Sequence, residues 1–445
     1  MRVSVIGSGY VGLVTAACLA EKGHTAICVD IDNEKVASIN RAEAPIHESG
    51  LPELLARHIP QLLTATTDLE AAVLDSDITF IAVGTPFDGE RIDLGAVTEA
   101  SCRIGHALRR KASYHVVVVK STVVPGTTGG VVRPALESGS GKRAGADFGV
   151  AMNPEFLTEG EAIADFMYPD RIVIGGIDER SISVLDELYS NFTGIEIIHT
   201  NLATAEMVKY TSNALLATAI SFANEIANLC STLGGIDAAE VMHGVHRSRY
   251  LSVQNGNGKR TEAPLSRFFE SGCGFGGSCL PKDISALIAH GEQAGASMPV
   301  LRAVIGTNQQ QPERMVSILK RHFASLDKLR VAVLGLAFKP DTSDIRQSPA
   351  LPIIRRLLEN GAVVKAFDPV ANAEAQGLFD DRTVEFCEDL EQAMTGVDAV
   401  LLVTRWEQFR RIPEIVSRLH PPPLVVDGRR MLDKRTLPRY AGIGL

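Results

Sequence analysis

Two series of short apolar runs alternating with helix-patterned stretches, separated by one long helical run, constrain this chain more than any other feature. Residues 2–7 (RVSVIG) read as a strand, 15–23 (TAACLAEKG) as a helix ending at Gly23, and 25–30 (TAICVD) as a second strand. Further strands follow at 77–84 (DITFIAVG), 114–122 (YHVVVVKST) and 171–176 (RIVIGG). Alternation of this kind predicts βαβ units and a mostly parallel sheet. From Thr204 to Leu233 there is no Pro or Gly, and the apolar residues recur at helical spacing, which predicts one long helix. Residues 254–264 (QNGNGKRTEAP) read as a surface loop. The alternation then resumes at 329–338 (LRVAVLGLAF), 363–369 (VVKAFDP), 398–404 (DAVLLVT) and 423–429 (PLVVDGR). The expected class is α/β: two doubly wound domains joined by a central long-helix region, divided at 1–200, 201–322 and 323–445. A chain of 445 residues is long enough for two or three cores.

Composition narrows the partners. A net charge of -9 argues against a general binder of nucleic acid or anionic membrane, but leaves room for a local basic pocket. The longest apolar runs are strand-sized, and the N-terminus enters a strand directly, so neither a membrane helix nor a signal peptide is expected. The seven cysteines are scattered, with no CxxC pair and no zinc spacing, so no metal is expected and a reducing, cytoplasmic setting is.

Gly7-Ser8-Gly9-Tyr10-Val11-Gly12 matches GxGxxG. The motif is weak alone, but here it follows a strand, opens a helix, and has Asp30 at the end of the next strand. The glycines admit a pyrophosphate to the amides of a helix N-terminus, and Asp30 would accept from an adenosine ribose. Ile31 and Asp32 follow, with no arginine for a 2′-phosphate, so NAD is the expected cofactor and the first domain is Rossmann-like. Gly84-Thr85-Pro86 and Lys120-Ser121-Thr122 lie at later strand ends, where ligands of such sheets bind.

Residues 272–283 read GCGFGGSCLPKD. A thiol becomes a nucleophile where a helix N-terminus or a cation stabilises the thiolate. Pro281 suits the first turn of a helix, so Cys279 falls at that helix's positive end. The surrounding glycines would let backbone approach a substrate closely. Asp283 lies one turn further on, while Cys273 competes for the role but lacks the helix start. Asn153-Pro154-Glu155-Phe156-Leu157-Thr158-Glu159 follows the strand FGVAM and offers two carboxylates at a strand's C-terminal end. Lys209 and Asn213, four apart on the long helix, share a face and could hold an oxyanion.

In order along the chain, GSGYVG, VGTP, KSTVVPGT, NPEFLTEG, the Lys209–Asn213 pair, GFGGSCLPKD, GLAFKPDTSDIRQSP and DGR resemble the UDP-glucose/GDP-mannose dehydrogenase family. The resemblance spans almost the whole chain. It implies four-electron oxidation of the C6 alcohol of a nucleotide sugar to the uronic acid, with NAD as acceptor and Cys279 holding the carbon as thiohemiacetal and then thioester. It implies that Thr122 and Glu155 position and activate water, that Lys209 and Asn213 stabilise oxyanions, and that Asp283 assists with water and protons. Gly7, Gly9, Tyr10, Val11, Gly12, Asp30, Lys35, Gly84, Thr85, Pro86, Ser121, Thr122, Glu159, Cys279 and Arg346 would border the cofactor. Glu155, Phe156, Leu157, Lys209, Asn213, Phe268, Phe269, Gly272, Gly276, Phe338 and Lys339 would border the substrate, with Arg429 a weaker candidate. Many members carry an arginine shortly before the glycine turn that reaches a neighbouring subunit's substrate; here Arg260 and Arg267 both qualify. The long helix would build a homodimer.

NPEFLTEG followed by DFMYPDRIVIGG resembles UDP-glucose enzymes, whereas the LSRFF run and AEMVKYTSN lean toward GDP-mannose enzymes. UDP-glucose is the expected substrate and GDP-mannose the alternative. A one-step alcohol or hydroxy-acid dehydrogenase usually needs a histidine base, and none of the eleven histidines falls in these motifs. A non-catalytic NAD-binding protein would have no use for the Cys, Lys, Asn and Asp set.

Overall fold

The computed structural model describes residues 1–254, 256, 258–379 and 383–445. The chain divides into two units, Met1–Ser212 and Asn213–Leu445.

In the first unit, eight strands form one sheet: β1 (Arg2–Ile6), β2 (Thr25–Val29), β3 (Leu63–Thr66), β4 (Ile78–Ile81), β5 (Val116–Val119), β6 (Gly149–Met152), β7 (Arg171–Gly176) and β8 (Glu196–Thr200). Their spatial order is β3-β2-β1-β4-β5-β6-β7-β8. All neighbours are parallel except β6 and β7. Strands covered on both faces read as unbroken apolar runs. The four valines of β5 are fully buried, and each contributes roughly 1.5–3 kcal/mol. Val116 and Val118 enter one core cluster with Val3 and Val5, while Val117 and Val119 enter a second with Ile6 and Val29. The order of strand addition reverses between β1 and β4, and the ends of these two strands carry Gly7–Gly12 and Gly84–Pro86. Ligands of doubly wound sheets bind at such a switch point.

The second unit repeats the plan with β11 (Arg330–Leu334), β12 (Val363–Phe367), β13 (Val384–Phe386), β14 (Ala399–Leu402), β15 (Leu424–Asp427) and β16 (Tyr440–Gly442). Their order is β13-β12-β11-β14-β15-β16, all parallel, around one core cluster. Phe338 and Lys339 follow β11, Arg405 follows β14 and Arg429 follows β15, all at C-terminal strand ends.

The helix Leu202–Leu233 is unbroken for 32 residues. Contrary to the expectation from its sequence, it is long and apolar enough to cross a membrane by length and composition. Much of that apolarity is Ala, which packs inward at 205, 217, 219, 223 and 227. Leu215, Phe222 and Leu229, seven residues apart, are exposed by 56%, 51% and 53%. The stretch 254–264 is a partial correction as well. Ser252–Gln254 (β9) and Arg260–Glu262 (β10) pair antiparallel instead of forming one irregular loop. The remainder of the expected loop includes Asn255 and Asn257, which lie outside the described residues.

Candidate active site

The helix Tyr10–Glu21 begins after Gly9, and no side chain caps it. Its first amides therefore depend on another acceptor. A Cβ at Gly12 would stand 1.8 Å from the Gly7 carbonyl oxygen, so helix and strand can approach this closely only with glycine there. These features fit a pyrophosphate seated on a helix N-terminus, as NAD requires. Asp30 is already engaged: one carboxylate oxygen accepts from the Ser8 amide (2.9 Å) and hydroxyl (2.6 Å), the other from Asp32 N–H (3.1 Å). Burial raises its pKa, but these bonds and the Lys35 charge outweigh burial and keep it low. Gly84 and Pro86 are exposed, Thr85 Oγ1 donates to the Thr122 carbonyl at 2.8 Å, and Ser121 Oγ donates to Val83 O at 2.7 Å, so both motif segments meet at neighbouring strand ends. Glu159 lies in a loop tied back to the glycine motif. Glu48 accepts from the Tyr10 hydroxyl and, at 2.7 Å, from Gly160 N–H.

Glu155 and Lys209 form a buried ion pair, 2.8 Å apart, with side chains 6% and 5% exposed. The second Glu155 oxygen accepts from Leu157 N–H at 2.6 Å. Burial pushes this carboxyl up, but the Lys209 charge and hydrogen bond, the Leu157 amide and the Lys120 charge pull it below its ordinary value. Phe156 is covered by the Arg171 guanidinium, 4.1 Å from the ring centre.

In the second unit Cys279 is the N-cap of the helix Leu280–Gln293 and is exposed, with Ser278 Oγ 3.5 Å from its sulfur. Asp283 is 1% exposed; one oxygen accepts from Asn213 Nδ2 (2.7 Å), the other from Lys282 Nζ (2.6 Å). Cys273 is fully buried against Val403 O, and burial raises its pKa. Of the two thiols, only Cys279 is open to a reactant. Lys209 and Asn213 lie on one helix, as expected, and each binds a carboxylate, Glu155 and Asp283 respectively.

A cavity of about 300 Å³ in the second unit is lined by Arg267, Phe268, Gly276, Phe338, Lys339, Arg405 and Arg429 among others. Four cationic side chains on one cavity suit a diphosphate. Arg429 already donates to Val403 O (2.6 Å) and Gly274 O (3.1 Å). Phe269, Gly272 and Arg260, expected at the substrate, are among those that do not line it. Phe269 stacks edge-on with Phe222, Gly272 N–H donates to Asn224, and Arg260 donates to Ser252 in the β9–β10 hairpin. Arg346 pairs with Asp344 at 2.7 Å.

The glycine turn also has a reason the sequence did not suggest. A Cβ at Gly276 would stand 2.3 Å from Gln347 O, and one at Gly277 2.8 Å from the Phe338 ring. Gly277 N–H bonds Arg346 O at 2.8 Å. The close approach is therefore to the chain's own 338–347 segment. Sequence reading also missed Lys120, Glu48 and Arg405. Lys120 sat in a motif already singled out, Glu48 carried no local signal, and Arg405 follows an ordinary strand. Among the described residues no cluster of three or more His, Cys, Asp or Glu could hold a metal ion.

Models of the UDP-glucose/GDP-mannose dehydrogenase family match the chain in three parts: the NAD binding domain over 1–193, the central domain over 203–310 and the UDP binding domain over 332–434. The UDP-glucose 6-dehydrogenase AglM of Haloferax volcanii is 43% identical over 440 residues, 98% of each chain. The GDP-mannose 6-dehydrogenase of Pseudomonas aeruginosa is 41% identical over 372 residues, 83% of this chain and 81% of its own. The structure of a UDP-glucose dehydrogenase from Pyrobaculum islandicum is similar, with a TM-score of 0.90, 38% identity, and 99% of this chain and 97% of that one covered. With both doubly wound sheets, the dinucleotide cradle and three domain models in register, the chain belongs to the UDP-glucose/GDP-mannose dehydrogenase family of NAD-dependent nucleotide-sugar dehydrogenases.

Proposed function

We propose that this protein oxidises UDP-glucose to UDP-glucuronate, with Cys279 as the covalent nucleophile. The observation that carries the mechanism is the exposed thiol at a helix N-cap, where the helix dipole favours thiolate, beside the buried Asp283–Asn213 pair. NAD⁺, when bound, accepts the hydride of each of the two oxidations. Loss of a hydride from C6 and of the hydroxyl proton leaves an aldehyde. The Cys279 sulfur adds to that carbon, and a proton goes to the carbonyl oxygen. A second loss of hydride and hydroxyl proton leaves the thioester. Water then adds, the carbon–sulfur bond breaks, and the acid leaves with the thiol restored.

Glu155 and Thr122 are the groups for water, Lys209 and Asn213 for oxyanions, and Asp283 for proton handling. The 300 Å³ cavity, with Phe338, Lys339, Arg267 and Arg429, is the candidate nucleotide site. Of the two candidate arginines, Arg267 has the support of lining it. Similarity to the Haloferax and Pyrobaculum proteins supports UDP-glucose. GDP-mannose is the second reading, supported by 41% identity to the Pseudomonas enzyme. The exposed heptad of Leu215, Phe222 and Leu229 supports a homodimer built on the long helix. That none of the seven cysteines forms a disulfide accords with the cytoplasm. We divide the chain functionally into 1–200, 201–322 and 323–445, with support from family matches that end at 193 and 310 and begin again at 332.

The test is NADH formed per sugar consumed, with NAD⁺ in excess, for UDP-glucose and GDP-mannose in parallel. Two NADH from UDP-glucose is the expected result. One NADH refutes the covalent acid-forming mechanism, and a response to GDP-mannose alone replaces the substrate.

A further inference from the structure

We propose that Lys120 is a positioning residue for this chemistry: its buried ammonium joins Glu155 and Lys209 in a three-charge cluster and sets the potential in which that pair works. The inference rests on the reading that Glu155 and Lys209 act at the reacting carbon. Lys120 follows β5 and is 4% exposed. Its Nζ donates to Asn153 Oδ1 at 2.8 Å and lies 3.5 Å from the Asn153 carbonyl oxygen. The rings of Phe80 and Phe166 flank it, with centres 5.7 and 5.8 Å away. Asn153 Oδ1 also accepts from the Tyr189 hydroxyl (2.6 Å), and its amide donates to Val173 O (2.8 Å). Asn153 is therefore held from three sides, two residues before Glu155.

A turn that needed only a donor beneath it could use a neutral amide. Burying an ammonium is costly, so what lysine adds here is its charge. Burial draws its pKa down to about 8; Glu155 opposes that fall and Lys209 adds to it. Lys120 and Glu155 line the same cavity, and Glu155 binds Lys209 at 2.8 Å, so two buried ammoniums accompany one buried carboxylate. A net positive charge is the sign that a developing oxyanion on the substrate calls for. The other titratable or charged groups around it are Tyr189, held neutral by burial, and Asp165, Tyr168, Asp170 and Arg171 around the cavity of about 90 Å³ that Lys120 also lines.

The experiment compares pH profiles of kcat and kcat/KM for wild type, Lys120→Gln and Lys120→Arg, using whichever sugar nucleotide wild type oxidises. Glutamine keeps an N–H for Asn153 and drops the charge, whereas arginine keeps the charge. Removing a positive charge raises the proton affinity of every group still coupled to it. The limbs that belong to the cluster should therefore move up by about one pH unit in Lys120→Gln. Its kcat at neutral pH should fall about tenfold, while Lys120→Arg keeps the wild-type limbs. If Lys120→Gln does not fold, Lys120→Met removes the cost of the buried charge at similar length, and the same limb shift is read from it. Unmoved limbs in the neutral variants, or equal losses in the Arg and Gln variants, overturn the proposal. No NADH from wild type with any sugar nucleotide would instead overturn the functional reading beneath it.

Discussion

Replacing Lys209 with Met should destabilise the first unit as well as stop turnover, and the two effects should separate. At 2.8 Å the Lys209–Glu155 attraction is about 6 kcal/mol for an effective dielectric of about 20. Loss of one partner from a buried pair costs about 3–5 kcal/mol, because the other charge is left buried and unmatched. Lys120 still neighbours Glu155, so the loss should lie near the lower end, about 3 kcal/mol. With a urea slope of about 2 kcal/mol/M, that moves the unfolding midpoint by roughly 1.5 M. Urea titration by circular dichroism on wild type, Lys209→Met and Lys209→Met with Glu155→Gln makes the test. The double variant should regain most of the stability, since it leaves no buried lone carboxylate, yet form no NADH. A Lys209→Met protein as stable as wild type, or a double variant no better than the single, would refute the reasoning.

Three further outcomes follow from the same geometry. Gly277→Ala should lose about 1–3 kcal/mol in a thermal or urea melt, because its φ of +84° and a Phe338 ring carbon 2.8 Å from the added Cβ both oppose it. The Asp237 carboxyl resists ionisation through burial, but Arg430 and Lys434 outweigh burial and hold it at about 2, against an ordinary 3.8. That stability, about 2 kcal/mol, is present above pH 4 and lost as pH falls toward 2, and the acid limb of unfolding should shrink in Arg430→Gln. Iodoacetamide should label Cys279 before Cys273 in the native protein, read by peptide mass, since one thiol is exposed and the other fully buried.

Both sheets were legible because their central strands are covered on two faces and so appear as apolar runs of four or five residues, as in Val116–Val119 and Ala399–Leu402. The dinucleotide cradle was legible because backbone contact requires glycine at Gly7 and Gly12 wherever the chain runs. The N-cap position of Cys279 was readable for a similar local reason, a proline in the first helical turn. What escaped depends on distant partners. Nothing near Gly276 shows that it packs on Gln347, 71 positions away, so this second reason for glycine was not legible. Arg260 read as loop because its strand is three residues long and pairs only with Ser252–Gln254. Lys120 read only as part of the strand-end segment Lys120-Ser121-Thr122, since burial of a charge becomes visible only when Asn153, Phe80 and Phe166 surround it. Lys209 and Asn213 were rightly put on one helix, but helix spacing says nothing of Glu155 and Asp283, the carboxylates that hold them.

The most direct measurement is the intact mass of the protein, acid-quenched during steady turnover with UDP-glucose and NAD⁺, followed by peptide mapping. The account predicts a fraction of chains heavier by the nucleotide-sugar acyl group, with the added mass on the peptide containing Cys279 and none in Cys279→Ala. Two NADH per sugar with no adduct on Cys279, or undiminished turnover in Cys279→Ala, would contradict it.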